Sequence, residues 1–248
     1  MTAVGRFSTR PLYLQVKDML VQRIVAGAWK PGAAIPNEIE LSRELGISVG
    51  TVRKALDEME SERLISRRQG RGTFVIDQTS NECAIRFSNI RDPDGIRIAG
   101  EIHSCEIVPA TAGEAEARML QLRNGEPVFR LRRVRTHDEH PFMVEESTIP
   151  QARFPGLAQE SEIPSSIVVL AHRYGVLLAR AEEKIGVTRA EGDVAEALKV
   201  AEGTPLLKLD CVVYAIDGRP IEWRIARCHL RDNYYMTEIH SGSRSRKV

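Results

Sequence analysis

Three features of this 248-residue sequence predict a winged helix-turn-helix followed by an α+β domain whose antiparallel sheet carries helices and an internal duplication. Residues 36–76 hold two short helix patterns, a Gly-containing turn between them and a basic hairpin behind. Gly125-Glu-Pro127 with Leu131 recurs as Gly203-Thr-Pro205 with Leu209, and Asp138 and Pro141 recur as Asp217 and Pro220. Charge is divided as well. Residues 1–76 hold 12 Lys/Arg and 8 Asp/Glu, a net of +4, while the remainder holds 23 and 26, a net of −3. A chain that is nearly neutral overall thus concentrates its positive charge in the half with the helix-turn-helix, the asymmetry expected of a polyanionic partner.

The first helix runs from Pro11, with Leu12, Val16, Leu20 and Ile24 as its apolar stripe and Gly27 beyond its end. Trp29, Pro31 and Gly32 form a turn, with Trp29 read as a core or staple residue. Asn37 is a favourable N-cap, and Glu40, three residues on, completes a capping box. Gly46 ends that helix, where a left-handed residue is needed. Ser48 caps the next helix, whose Val52, Leu56 and Met59 face inward.

A recognition helix offers its N-terminal residues to base edges in the major groove. Ser48, Val49, Gly50, Thr51, Arg53 and Lys54 are therefore the candidate DNA contacts, with Gly50 small enough to permit close approach. In the hairpin that follows, Arg67, Arg68 and Arg71 surround Gln69-Gly70, and Thr73–Ile76 forms the return strand. The three guanidiniums near the tip suit phosphate contact or insertion into a narrow minor groove, with Arg68, Gln69, Gly70 and Arg71 as the candidate contacts.

Residues 11–76 resemble the DNA-binding domain of the GntR family of bacterial transcription regulators. The resemblance rests on Pro11-Leu-Tyr-Leu-Gln-Val, Gly32 to Pro36-Asn-Glu, Leu41-Ser-Arg-Glu-Leu-Gly, Thr51-Val-Arg-Lys-Ala-Leu and Arg68-Gln-Gly-Arg-Gly-Thr-Phe-Val. It implies DNA contacts at Arg43, Ser48, Thr51, Arg53 and the wing tip at Gly70. Val49 stands where many members carry Arg, which removes one contact and leaves the operator sequence open.

Residues 77–84 are polar and aperiodic and read as a linker; the last eight residues, 241–248, read as a disordered tail. Between them, each copy of the duplication reads as strand, Ala/Glu-rich helix and β-hairpin. The leading strands are 101–109 and 177–187, the helices 111–120 and 191–199, and the hairpins 127–149 and 205–231. The offset between copies is 78 residues before the hairpin turn and 79 after it. Two such units give one antiparallel sheet with helices on one side. A further helix spans 165–174, capped by Ser165 or Ser166. Alternation along the strand from Val128 puts Phe129, Leu131, Arg133 and Arg135 on one face, so two guanidiniums are carried toward a semi-buried surface. They require a carboxylate or phosphate partner, either a ligand or an internal acid such as Glu145 or Glu222.

This half, 85–240, resembles the UTRA domain of the HutC subfamily, an effector-sensing module with a chorismate-lyase-like fold. Gly125-Glu-Pro-Val-Phe-Arg-Leu-Arg-Arg-Val-Arg, Glu145-Glu-Ser, Arg153-Phe-Pro-Gly-Leu and Asp217-Gly-Arg-Pro-Ile-Glu-Trp carry the likeness. It implies an effector site at Arg133, Arg135, Glu145, Ser165 and Glu222, with backbone N–H groups from the loop around Ser88. The implied effector is a sugar phosphate or another small anionic metabolite. Cys228 replaces a frequent aromatic residue, so sugar stacking is not implied.

The reading that results is a homodimeric, sequence-specific transcription regulator, a repressor whose operator binding responds to a small-molecule effector. One alternative is a DNA-binding protein whose second domain only dimerises, and another is a lyase-like enzyme. There is no nucleophile elbow, phosphate loop or spaced metal-ligand set, so no cofactor, metal or catalytic residue is expected. His137-Asp-Glu-His140 falls in a hairpin turn. The four cysteines show no C-x-x-C spacing, no apolar run reaches membrane-spanning length, and no signal segment opens the chain. These place the protein in the reducing cytoplasm.

Overall fold

Helix α1 (Leu12–Val25) begins where Pro11 can no longer donate, and it packs on α3 (Val49–Ser61). Val16, Leu20, Val21 and the stem of Lys17 form its buried face, with Lys17 Nζ donating to Glu62 Oε1 at 2.7 Å. The expected stripe is therefore rotated: Leu12 is 52% exposed and Ile24 only partly buried, because α3 sets which side of α1 is covered. These features come from a computed structural model that describes residues 10–77, 85–160 and 162–238. The segments read as linker and tail lie outside the described residues, apart from Asp77.

Helix α2 (Glu38–Leu45) carries the anticipated caps. Asn37 Oδ1 accepts from the backbone N–H of Ile39 and Glu40, Glu40 Oε2 accepts from the Asn37 N–H, and Gly46 closes the helix at φ 65°. Ser48 caps α3 through the Thr51 N–H. Val52, Leu56 and Met59 are fully buried beside Leu41. One strand was not foreseen. Ala34–Ile35 (β1) pairs with the return strand of the wing, so β2 (Ile65–Arg68) and β3 (Gly72–Val75) belong to a three-stranded sheet in the order β1-β3-β2. Two residues after a turn carry no periodicity of their own.

Short strand β4 (Ile90–Arg91) pairs with β11 (Tyr234–Tyr235) and fastens the start of the second domain to its end. The main sheet follows the duplication. Copy one supplies β5 (Glu101–Thr111), α4 (Glu114–Leu120), β6 (Pro127–His137) and β7 (His140–Pro150). Copy two supplies β8 (Leu178–Arg189), α6 (Gly192–Leu198), β9 (Pro205–Ala215) and β10 (Pro220–Cys228). The antiparallel order β5-β6-β7-β10-β9-β8 joins the copies through β7 and β10 about a local pseudo-two-fold axis. Glu145 pairs with Ala226, and Ser147 pairs with Arg224, the same pair turned about that axis.

Helices cover both faces of the sheet, where one was expected. α4 and α6 pack on the side of Val128, Val134 and Val144. The unduplicated α5 (Ile167–Arg173) and two 3-10 turns at Gln151–Arg153 and Leu157–Gln159 pack on Phe129, Leu131 and Ile149. Periodicity located these helices without saying to which face each chain segment returns. Beyond α5 the chain turns at Gly175, and Leu177 enters the apolar core of the winged helix, with Ile216 of the β9–β10 turn packed beside it. The two domains thus share a small apolar contact.

Candidate DNA-reading surface and effector cavity

The exposed side of α3 displays the anticipated residues in order. Ser48 Oγ lies 2.9 Å from Thr51 Oγ1, and a Cβ on Gly50 would meet only Ser48 Oγ at 3.9 Å, so the helix start is open to close approach. Lys54 Nζ sits 4.1 Å over the Tyr13 ring. Arg53 is 61% exposed and donates through Nε to Glu38 Oε2 at 2.9 Å. Val49 is half-buried, whereas Arg43 at the end of α2 is exposed.

At the wing, Gln69, Gly70 and Arg71 are exposed, and the Arg68 guanidinium stacks 4.8 Å over Phe74. Arg67 behaves otherwise. Its Nη1 donates to Asp57 Oδ1 at 2.5 Å and Glu60 Oε2 at 2.9 Å, which ties the wing to α3. Of the three wing guanidiniums, two point to solvent and one is a structural tie.

On the α5 side of the sheet, a cavity of about 610 Å³ opens between the sheet, the loop at Phe87–Ile90 and the start of α5. Its charged centre is Glu145, 1% exposed, whose Oε1 accepts from Arg133 Nη1 at 3.1 Å and Arg135 Nη2 at 2.8 Å. Burial alone would raise the Glu145 carboxyl, but the guanidiniums of Arg135, Arg224 and Arg133 outweigh it and hold it at about 2. Burial likewise opposes the charge on Arg133, and Glu145 and Glu222 more than restore it. Arg135 also donates to the carbonyls of Ser165 at 2.6 Å and Ala99 at 3.3 Å, so it joins strand β6 to both rims of the cavity.

Four of the six expected effector residues reach this cavity: Ser88, Arg135, Glu145 and Ser165 line it. Arg133 and Glu222 do not; they are 2% and 1% exposed and act behind its wall. The Ser88 backbone N–H, expected to be free, donates to the Ile85 carbonyl at 2.9 Å, and its hydroxyl donates to the Ile98 carbonyl at 2.6 Å. Ser166, not Ser165, is the cap of α5. Cys228 is buried behind lining residues such as Met143, Leu209 and Ala226 and does not itself line the cavity.

Among the lining residues that escaped the sequence reading are the charged Glu101, Glu183 and Arg224. The internal repeat held the signal for Arg224, since its 79-residue offset maps Glu145 onto that position. On the opposite face a hollow of about 490 Å³ also holds cations, but there Arg130 is closed by Glu116 at 2.8 Å and Arg132 by Asp193 at 2.8 Å. His137 and His140 flank a turn built on the left-handed Asp138 and Glu139.

A winged helix-turn-helix joined to a duplicated α+β domain with a charged internal cavity defines a DNA-binding regulator that senses a small molecule. The chain belongs to the bacterial regulatory proteins of the gntR family: that family profile matches residues 12–75, and the UTRA domain profile matches residues 94–232. It is similar to the histidine utilization repressor of Pseudomonas putida, 30% identical over 79% of this chain and 79% of that one. The mannosyl-D-glycerate transport/metabolism system repressor MngR of Escherichia coli is 27% identical over 96% of this chain and 99% of that one. Among solved structures, PhnF of Mycobacterium smegmatis matches 94% of this chain and 100% of its own with a TM-score of 0.54 at 23% identity, a likeness of fold. The chain is a DNA-binding transcription regulator of the repressor type whose operator binding responds to an effector, and it is not an enzyme. Among the described residues no helix is long and apolar enough to cross a membrane.

Proposed function

We propose that the chain works in the cytoplasm as a homodimer, with two winged helices reading the half-sites of a pseudo-palindromic operator. The N-terminal part of α3, from Ser48 to Lys54, enters the major groove, and Arg68 and Arg71 of the wing contact the adjacent backbone or minor groove. Arg43 lies within reach of a flanking phosphate. The effector occupies the cavity floored by Arg135 and Glu145. The names of two relatives concern histidine utilization and mannosyl-D-glycerate, chemistries too different to transfer an effector to this chain.

One observation carries the reading. A short helix, α5, runs from the cavity toward the winged-helix core. Ser165, Ser166 and Ile167 line the cavity at its start, and Leu177, just beyond its end, is buried among winged-helix residues. A ligand that binds the two positions of α5 with different affinity shifts the equilibrium between DNA-competent and incompetent arrangements.

Selection of bound duplexes from a random-sequence pool tests the reading. An inverted repeat as the preferred site is expected, with sedimentation showing a dimer on it. A single half-site bound by a monomer overturns it. Fluorescence anisotropy of the selected duplex, titrated with small metabolites, then reports the effector response.

A further inference from the structure

Three guanidiniums surround the cavity floor, and they differ in how many donors remain unused. Arg135 donates to Glu145 and to two backbone carbonyls, and Arg133 donates to Glu145 from behind the wall. Arg224 makes no hydrogen bond to a protein oxygen among the described residues. Its Nη1 stands 3.8 Å from Glu222 Oε2, an ion pair too long for a hydrogen bond. Its other close contact is the Cys211 thiol on the adjacent strand, a weak acceptor, while the carboxylates of Glu145 and Glu183 act on it from beyond ion-pair distance. The Arg224 side chain is 16% exposed, and it lines the cavity. A guanidinium carries five donors in a fixed fork, and here most of them have no strong acceptor.

Glu183 is the complementary group. Strand register runs Ser147, Arg224, Cys211, Glu183 across β7, β10, β9 and β8, so Arg224 and Glu183 share one row of the floor, two strands apart. Neighbouring strands are about 4.8 Å apart, which separates the two backbones by roughly 10 Å, the reach of a small metabolite. Glu183 Oε2 accepts from the Tyr235 hydroxyl at 2.5 Å, and Glu183 has no ion pair among the described residues. At the floor Arg133, Arg135 and Arg224 are set against Glu145, Glu183 and Glu222 in formal balance, and the exposed Glu101 on the rim adds one further negative charge. A dianionic phosphate would upset that balance in a semi-buried site. A molecule with an acid at one end and a cation or N–H donor at the other preserves it.

We infer that Arg224 is the residue that binds the effector's acid group, with Glu183 receiving a nitrogen donor of the same molecule, so that the effector is an amphoteric carboxylate of amino-acid type. This rests on the effector-sensing reading of the cavity and departs from the sugar phosphate implied by family resemblance.

The test is a thermal-shift and calorimetric screen of the full-length, DNA-free protein against L-amino acids, their deaminated carboxylates and sugar phosphates. An amino carboxylate is expected to stabilise the wild type. R224Q is expected to weaken that binding by about thirtyfold or more, as loss of a buried charged hydrogen-bond partner does. R224K, which keeps the charge facing Glu222, guards against misfolding and also binds more weakly, because the fork is lost. E183Q weakens binding of the amino carboxylate and leaves binding of its deaminated analogue unchanged. Stabilisation by sugar phosphates alone, no stabilisation by any probe, or equal binding to R224Q and R224K and the wild type overturns the inference. A ligand that requires Arg224 yet leaves operator affinity unchanged would sink the sensing reading and leave the site standing.

Discussion

Arg53 on α3 is held by Glu38 on α2: Arg53 Nε donates to Glu38 Oε2 at 2.9 Å, and Nη2 approaches the same oxygen at 2.8 Å. Glu38 also lies 3.5 Å from Arg67, so one carboxylate stands between the recognition helix and the wing. It fixes the direction of Arg53 and places a negative charge beside the surface proposed to meet DNA. Arg53→Ala is expected to weaken operator binding by about 1–3 kcal/mol with little change in melting temperature, since the side chain is solvent-exposed. Glu38→Gln is expected to tighten binding to random duplex more than to operator, because repulsion is removed while aim is lost. Anisotropy titrations on both duplexes decide the matter, and an unchanged operator affinity for Arg53→Ala removes that residue from the interface.

Glu145 predicts a pH dependence. Its folded-state value of about 2 lies below the ordinary 4.5, so the carboxyl stabilises the fold fully above the unfolded value. That contribution is lost as pH falls through the interval from 4.5 to about 2. Glu145→Gln is expected to flatten the melting temperature across this window. It should also destabilise the domain by about 3–5 kcal/mol at neutral pH, because two buried guanidiniums lose their carboxylate. Calorimetry from pH 2 to 7 is the check, and parallel curves for the two proteins would show that Glu145 does not titrate as described.

Gly100, on the cavity rim, adopts φ 73°, and a Cβ there would collide with the edge of the Phe142 ring and meet the Thr136 carbonyl oxygen at 2.8 Å. Gly100→Ala is therefore expected to destabilise the second domain by about 1–3 kcal/mol and to displace the rim that Arg135 grips through Ala99. Chemical denaturation measures the first effect. A variant as stable as the wild type would mean that the rim relaxes freely.

Leu177 is 6% exposed inside the winged-helix core although it belongs to the second domain. Leu177→Ala is expected to remove about 2 kcal/mol or more from the reader domain and to weaken the effect of an effector on operator affinity. Denaturation followed at Trp29, together with anisotropy in the presence of effector, reads both. A full effector response in a destabilised protein would move the coupling route elsewhere.

The winged helix was legible almost residue by residue because its signals are local. Asn37, Glu40, Gly46 and Ser48 act on backbone groups within a few positions of themselves, so their caps can be read in order along the chain. The duplication was legible for a similar reason, since two copies of one pattern fix strand, helix and hairpin without knowledge of their packing. Strand β1 was not legible, because its two residues become a strand only when the wing arrives beside them. Neither was the pairing of Arg67 with Asp57 and Glu60, which depends on the wing folding back over α3.

For the cavity, alternation along β6 sent Phe129, Leu131, Arg133 and Arg135 to one face, and the structure agrees. Which of the two arginines meets open space was beyond any pattern in one strand. Arg133 faces Glu145 directly across β7, whereas Arg135 reaches the rims at Ala99 and Ser165. Arg224 comes from a strand 89 positions beyond Arg135 and enters the site only because β7 and β10 pair about the pseudo-two-fold axis.

The sequence by itself determined the class of protein, the caps and turns of the reader and the duplicated plan of the second domain, all through interactions that span a few residues or repeat at a fixed offset. The tertiary structure alone decided which charges are neutralised by neighbours and which remain open to a ligand. That distinction depends on distances of a few ångströms between strands and helices far apart in the chain, where a carboxylate either reaches a guanidinium or falls short of it.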